Sequence, residues 1–175
     1  MELYQPLVYG WLRRHEVAHH DAEDLAQDVM AVVVRELPSF EHSGRTGAFR
    51  SWLRQITANR AKGFWRAGKI RPAATGQSSL LQTLDQLEDD NSDTSRVWNQ
   101  EHDEHVLRQL LHKVESECEP TTFQAFRRLV FEGQRAEQVA SELGLSVGAT
   151  YSAKARVLRR LREEAAGIVD LSSFV

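Results

Sequence analysis

Apolar positions recur every three to four residues along most of the chain, the spacing that presents one face of an α-helix to a core. Leu3, Leu7, Val8, Trp11 and Leu12 mark a first helix. Leu25, Val29, Val32, Val33 and Leu37 mark a second, with Asp21 expected as its N-cap and Asp24 as a further acid near the positive helix end. Pro38 stops that helix, because proline lacks the donor and restricts the residue before it. A glycine-rich loop over about residues 40–47 leads into a third helix, about Ala48 to Arg66, with Phe49, Trp52, Leu53 and Ile56 facing inward and its arginines on the other side. From Pro72 to Thr94 large apolar residues are few, and the stretch reads as a flexible linker with one weak turn around Leu80 to Leu87.

A second helical unit starts near Val97. Val106, Leu107, Leu110, Leu111 and Val114 form a stripe, and Pro120 opens a helix carrying Phe123, Phe126, Leu129 and Val130 that Gly133 closes. Val139, Ala140 and Leu143 mark a short helix ended by Gly144. Ser146 caps a last helix with Thr150, Ala153, Val157 and Leu161 inside. The pattern predicts an all-α fold of two small helical domains, a three-helix bundle and a helix-turn-helix domain, joined by a flexible acidic linker. The boundaries are 1–71, linker 72–95, 96–166, and a tail over 167–175 to which no role is assigned.

Composition narrows the classes. The 175 residues suit two small domains, and uninterrupted apolar runs such as Ala31 to Val34 fall far short of the ~20 residues that span a bilayer. The start, MELYQPLVYGWLRR, lacks a basic region followed by an apolar run, so no secretory signal and no membrane insertion are expected. The single Cys118 excludes an internal disulfide framework and a cysteine-based zinc site, which fits a reducing cytoplasm. The net charge of −3 alone argues against nucleic acid, but it conceals blocks. Phe49 to Arg71 holds seven basic residues and no acid, Pro72 to Ser95 holds five acids and no Lys or Arg, and Tyr151 to Arg162 is basic again.

The string AEQVASELGLSVGATYSAKARVLRRLR reads as a helix-turn-helix. Small residues early in its second helix (Gly148, Ala149, Ser152) permit close approach to bases, and Lys154, Arg156, Arg159 and Arg160 are available for phosphates or a guanine edge. A plain helical hairpin with a solvated basic face fits the same string.

DAEDLAQDVMAVVVREL, then SF, a short loop and AFRSWLRQITANRAKGFWR, is more specific. It resembles the extracytoplasmic-function (ECF) group of sigma factors, in which an acidic DAEDL-x-Q-[ED] helix precedes an FR-x-WL-x-x-I-x-x-N helix. About Leu3 to Arg66 resembles family region two, and about Val97 to Arg162 resembles region four. The resemblance implies a non-catalytic RNA polymerase subunit that recognises and melts promoters. Asp21, Glu23, Asp24, Gln27 and Asp28 would dock the polymerase clamp. Phe40, Asn59, Arg60, Lys62, Trp65 and Arg66 would read and hold the melted minus-ten element. Gly148, Tyr151, Ser152, Lys154, Ala155, Arg156, Arg159 and Arg160 would read the minus-thirty-five element, and the acidic linker would thread the polymerase toward the RNA exit path. Core RNA polymerase and promoter DNA are the implied partners, with an anti-sigma factor as for most members; no cofactor and no small-molecule substrate are implied. Tyr151, Ala153 and Gly63 depart from residues common in the family.

On the residues alone, the acidic positions also fit an ordinary solvated helix start, Phe40 fits a core position, and the linker charge fits simple solubility. A stand-alone helix-turn-helix regulator is the alternative function. Two histidine groups, His15, His19 and His20 beside Asp21, and His102, His105 and His112, raise a metal site, but neither has a positioned acid or base in a plausible pocket. A pure interaction module sits poorly with two basic blocks.

Overall fold

The structure, a computed structural model, describes residues 4–41, 47–68 and 77–166. The regular elements among them are all helical, as the periodicity predicts: α1 (Gln5–Arg14), α2 (His19–Glu36), a 3-10 turn (Leu37–Ser39), α3 (Ala48–Arg66), α4 (Gln77–Glu88), α5 (Asp93–Glu117), α6 (Pro120–Val130), α7 (Ala136–Leu143) and α8 (Val147–Ala165). The chain divides into two units, Met1–His105 and Val106–Val175, and the division falls inside α5. Leu3, loop residues 42–46, residues 69–76 and the tail 167–175 lie outside the described residues.

In the N-terminal unit, Leu7, Val8, Trp11 and Leu12 of α1 meet Leu25, Ala26, Val29, Val32 and Val33 of α2 and Leu53 and Ile56 of α3 in one core. α1 ends where Glu16 turns to a positive φ of 62°, which lets the Val17 amide donate back to the Leu12 carbonyl. The entry to α3 needs glycine. Gly47 has φ 86°, and a Cβ there would lie 2.7 Å from Arg50 Nε. Phe49 and Trp52 are half-buried and close an aromatic cluster with Tyr4 and Phe40, ring centroids 4.7 to 5.9 Å apart. Burial drives the Tyr4 phenol up to about 12.

Three expectations about this unit are corrected. Asp21 is not the N-cap of α2: the helix begins at His19 after Ala18, and Asp21 sits in its first turn, where it still favours the positive helix end. Leu37 lies past the end of α2 in the 3-10 turn and is exposed. The arginines of α3 do not all occupy the outer side, since Arg54 is only 1% exposed.

The larger correction concerns the linker. Residues 77–88 form α4, with Leu80, Leu84 and Leu87 buried in the same core. α5 then begins at Asp93, not near Val97, and its first half belongs to the N-terminal unit. Trp98 is fully buried, edge-on to Trp11 at 5.4 Å, and His102 stacks on Tyr4 at 5.7 Å. Ser95 fastens the α4–α5 corner by donating to the Leu87 carbonyl at 3.1 Å. The apolar residues of this stretch are few, but Leu80, Leu84 and Leu87 keep helical spacing and Trp98 alone buries a large ring.

The C-terminal unit packs α6 against α8, with α7 on both, around Ala125, Val139 and Ala153. Val106, Leu110 and Val114 of α5 and Phe123 and Phe126 of α6 are buried as the stripes predict. Gly144 takes the left-handed cap (φ 67°) expected of it, Leu145 packs half-buried on the core, and Ser146 Oγ accepts from the Ala149 amide at 3.1 Å.

If α4 is part of the core, Leu84→Ala will destabilise the N-terminal unit by about 2–5 kcal/mol, against about 0.5 kcal/mol or less for a leucine in a solvated linker. Urea denaturation followed by tryptophan fluorescence reads this unit selectively, since Trp11, Trp52, Trp65 and Trp98 all lie within it. Gly144→Ala places a Cβ in the left-handed region and will cost the C-terminal unit about 1–2 kcal/mol, measurable as loss of helical signal on heating.

Candidate nucleic-acid interface

The helix-turn-helix is built by α7, the Gly144–Ser146 turn and α8. Thr150, Ala153, Val157, Leu161 and Ala165 hold α8 on its unit. The opposite side carries Gly148, Ser152, Ala155, Arg156 and Arg159, all exposed, with Tyr151 beside them at 56% exposure. The structure therefore gathers six of the eight expected positions on one solvent face. The other two diverge. Lys154 is half-buried on the core flank, one turn from Thr150 and Val157. Arg160 is bonded to Glu117 at 2.9 Å and Glu164 at 2.7 Å, and those carboxylates, Glu117 foremost, raise its pKa. Arg159 has only a long i,i+4 contact to Glu163 at 3.9 Å.

On α3 the expected set splits three ways. Asn59 and Arg66 lie exposed on one face, together with Gln55 and Gly63. Arg60 turns toward α2, where its Nε donates to Asp28 at 2.5 Å. Lys62 turns toward α4 and bonds Asp85 at 2.6 Å and Glu88 at 2.7 Å, while Trp65 packs on the core edge. Phe40 lies against Trp52, and Asn59 is seven residues beyond Trp52, about 10 Å further along the helix. Phe40 thus lies at the Trp52 end of α3, and Asn59 two turns further along the same helix.

On α2, Glu23, Asp24 and Gln27 are exposed, while Asp21 and Asp28 are half-buried. His20 lies 3.4 Å from Asp24 and His19 lies 3.7 Å from Glu23. A cleft of about 330 Å³ lined by Gln5, Pro6, Tyr9, Glu23 and Ala26 opens beside this face. The exposed side continues through Ala31 to Val34, which is 48% exposed. The sequence reading missed Val34 and Gln55. The signal for Val34 was present: six apolar residues in a row, Val29 to Val34, exceed what one helix face can bury. Gln55 had no signal beyond being one turn from Asn59.

Three of the histidines, His15, His19 and His102, pack against aromatic rings. His15 packs on Trp11 at 4.3 Å, burial and then Arg14 lowering its pKa, and His19 Nδ1 lies 3.0 Å from the Tyr9 hydroxyl. No group of three His, Cys, Asp or Glu side chains that could hold a metal ion converges among the described residues, and none of their helices is long and apolar enough to cross a membrane.

The sigma-70 region 2 family matches residues 1–70, the stretch that holds α1 to α3. A protein named "Probable RNA polymerase sigma factor RfaY" from Xanthomonas campestris pv. campestris is 27% identical over 143 residues, covering 82% of this chain and 34% of that protein. The ECF RNA polymerase sigma factor SigE of Mycolicibacterium smegmatis is 28% identical over 158 residues, covering 89% of this chain and 56% of that protein. The chain spans about a third and just over half the length of these two curated relatives. The region 2 match thus covers the stretch that holds the acidic α2 and the polar face of α3, and over most of its length the chain is similar to proteins named as RNA polymerase sigma factors, one of them of the ECF group.

Proposed function

We propose that this protein is a promoter-recognising initiation subunit, directing core RNA polymerase to particular start sites and opening the DNA there, without catalysis of its own and in the cytoplasm. The observation that carries the reading is the pair of solvent faces on separate units: Gln55, Asn59 and Arg66 on α3, and Gly148, Ser152, Ala155, Arg156 and Arg159 on α8. The α3 face holds one cation, Arg66, beside two side-chain amides, and the α8 face holds Arg156 and Arg159 beside the Ser152 hydroxyl, with Gly63, Gly148 and Ala155 as small residues where a helix would approach bases closely.

The roles follow from chemistry. Small residues at the start of α8 let it enter a major groove, and Arg156, one turn after Ser152, reaches a base edge; a good bidentate contact is worth ~1–3 kcal/mol of discrimination. Melting takes bases out of the stack at a few kcal/mol, which stacking on an aromatic offsets at ~1–3 kcal/mol per base. Phe40 and Trp52 are the rings at one end of the α3 face, and Asn59 offers a donor and an acceptor two turns on. The side of α2 with Glu23, Asp24 and Gln27 followed by Val34 suits a basic polymerase partner that also buries apolar surface. Asp28 belongs to that side only as the brace of Arg60.

In vitro transcription with core polymerase and genomic fragments, with and without the chain, tests the whole reading: new start sites appear only with it. A stand-alone regulator would instead bind duplex DNA tightly without polymerase. Asn59→Ala will reduce promoter opening, read by permanganate footprinting, about tenfold or more while leaving core binding within about twofold; equal loss of both removes its role at the melted strand. Arg156→Ala will weaken holoenzyme binding by ~1–3 kcal/mol and relax preference at one upstream base pair. Asp24→Ala will weaken association with core and steepen its loss with salt less than the parent, since one cross-interface charge is removed.

A further inference from the structure

The cations that α3 offers to a nucleic acid are partly covered by the chain that follows. Lys62 is only 13% exposed, and its ammonium is held between Asp85 and Glu88 of α4 at 2.6 and 2.7 Å. On the same flank Arg54 is bonded to Asp90 and Arg50 to Asp103. Four carboxylates from a stretch of 19 residues, 85–103, thus lie on three cations of one helix. Burial by itself would depress the Lys62 ammonium; the hydrogen bonds and charges of Asp85 and Glu88 overcome it and raise its pKa. A carboxylate 2.6 Å from an ammonium makes the contact a phosphate oxygen would make, so acid and phosphate exclude one another at this group.

The inference rests on the reading of α3 as a single-strand track. We propose that α4 acts as a built-in competitor of nucleic acid: in the free chain Asp85 and Glu88 occupy Lys62, and a single-stranded phosphate backbone displaces them. The exchange is local. Asp85 is 72% and Glu88 38% exposed at the side chain, so both can swing into water while Leu80, Leu84 and Leu87 keep α4 on the core. Arg54, buried and braced by Asp90, stays where it is, and the gate is therefore confined to one cation near Asn59 and Arg66. The chain then binds single strands weakly on its own, and the contact matures where a strand is presented at high local concentration.

The test uses the full chain without polymerase and a fluorescent single-stranded oligonucleotide, titrated across a range of salt. Asp85→Asn with Glu88→Gln, both isosteric changes at exposed positions, will tighten binding about threefold and steepen the log–log salt slope by about 0.7, the release expected for one added phosphate contact on a single strand. Each single substitution will give an intermediate gain. In a Lys62→Ala background the double substitution will change neither affinity nor slope. Helical content and tryptophan emission are checked for every variant, and the single substitutions carry the test if the double variant is unfolded. The proposal is overturned if the folded variants bind no more tightly, or if the gain survives in the Lys62→Ala background, which would mark it as a general effect of net charge. Should the chain redirect core polymerase while these variants gain nothing, this inference alone falls; should no variant bind single strands and the chain redirect nothing, the parent reading falls with it.

Discussion

A guanidinium removed from water must be met by an opposite charge, and at Arg54 that requirement determines where the following chain runs. Desolvating such an ion costs several kcal/mol even after relaxation. Arg54 is surrounded by the core helices, burial and neighbouring Arg50 pull its pKa down, and Asp89 works against them. Its carboxylate partner, Asp90, lies in the corner between α4 and α5. Arg50 makes the same demand and is met by Asp103 on α5. These pairs fix the register of the acidic stretch on α3, while Leu80, Leu84, Leu87 and Trp98 supply the apolar burial that holds it there. Charge sets the alignment and hydrophobic area sets the strength, the usual division between the two.

That arrangement sorts the cations of α3 into structural and available ones. Arg50 and Arg54 serve the fold, Arg60 braces α3 to α2 through Asp28, and Lys62 is shared with α4. Arg66 projects from the face that also carries Asn59. Of the five basic residues of this block that the structure describes, four are therefore paired with an acid. α8 is sorted in the same way, with Arg160 tied to Glu117 and Glu164 and Arg156 left on the open side.

The two units differ in how their local structure is secured. α7 and α8 are delimited by chemistry in the chain itself, with a left-handed glycine and a serine cap that closes on the Ala149 amide. The N-terminal unit depends on contacts between residues far apart in sequence, such as Trp11 with Trp98 and Tyr4 with His102. Small helices of twelve residues like α4 are marginal alone and persist through such packing.

What the sequence determined by itself was whatever repeats within a few residues. Helical periodicity, Pro38 and Pro120 as boundaries, Gly144 and Ser146 as the turn, and the limits of α3 all follow from local rules and match the structure. The motif in α2 and α3 carried the resemblance to sigma factors, and the region 2 match falls on the same stretch. What only the tertiary structure decided was which charges remain free and where one unit ends. The acidic stretch looks like a solvated linker because its composition is polar, yet three leucines and one tryptophan find a distant surface to bury against, and Asp85, Glu88 and Asp90 pair with a basic helix that composition alone treats as a separate block. Long-range pairing of that kind depends on geometry in three dimensions, because the energy of a buried ion or ring is fixed by its neighbours and not by its own place in the chain.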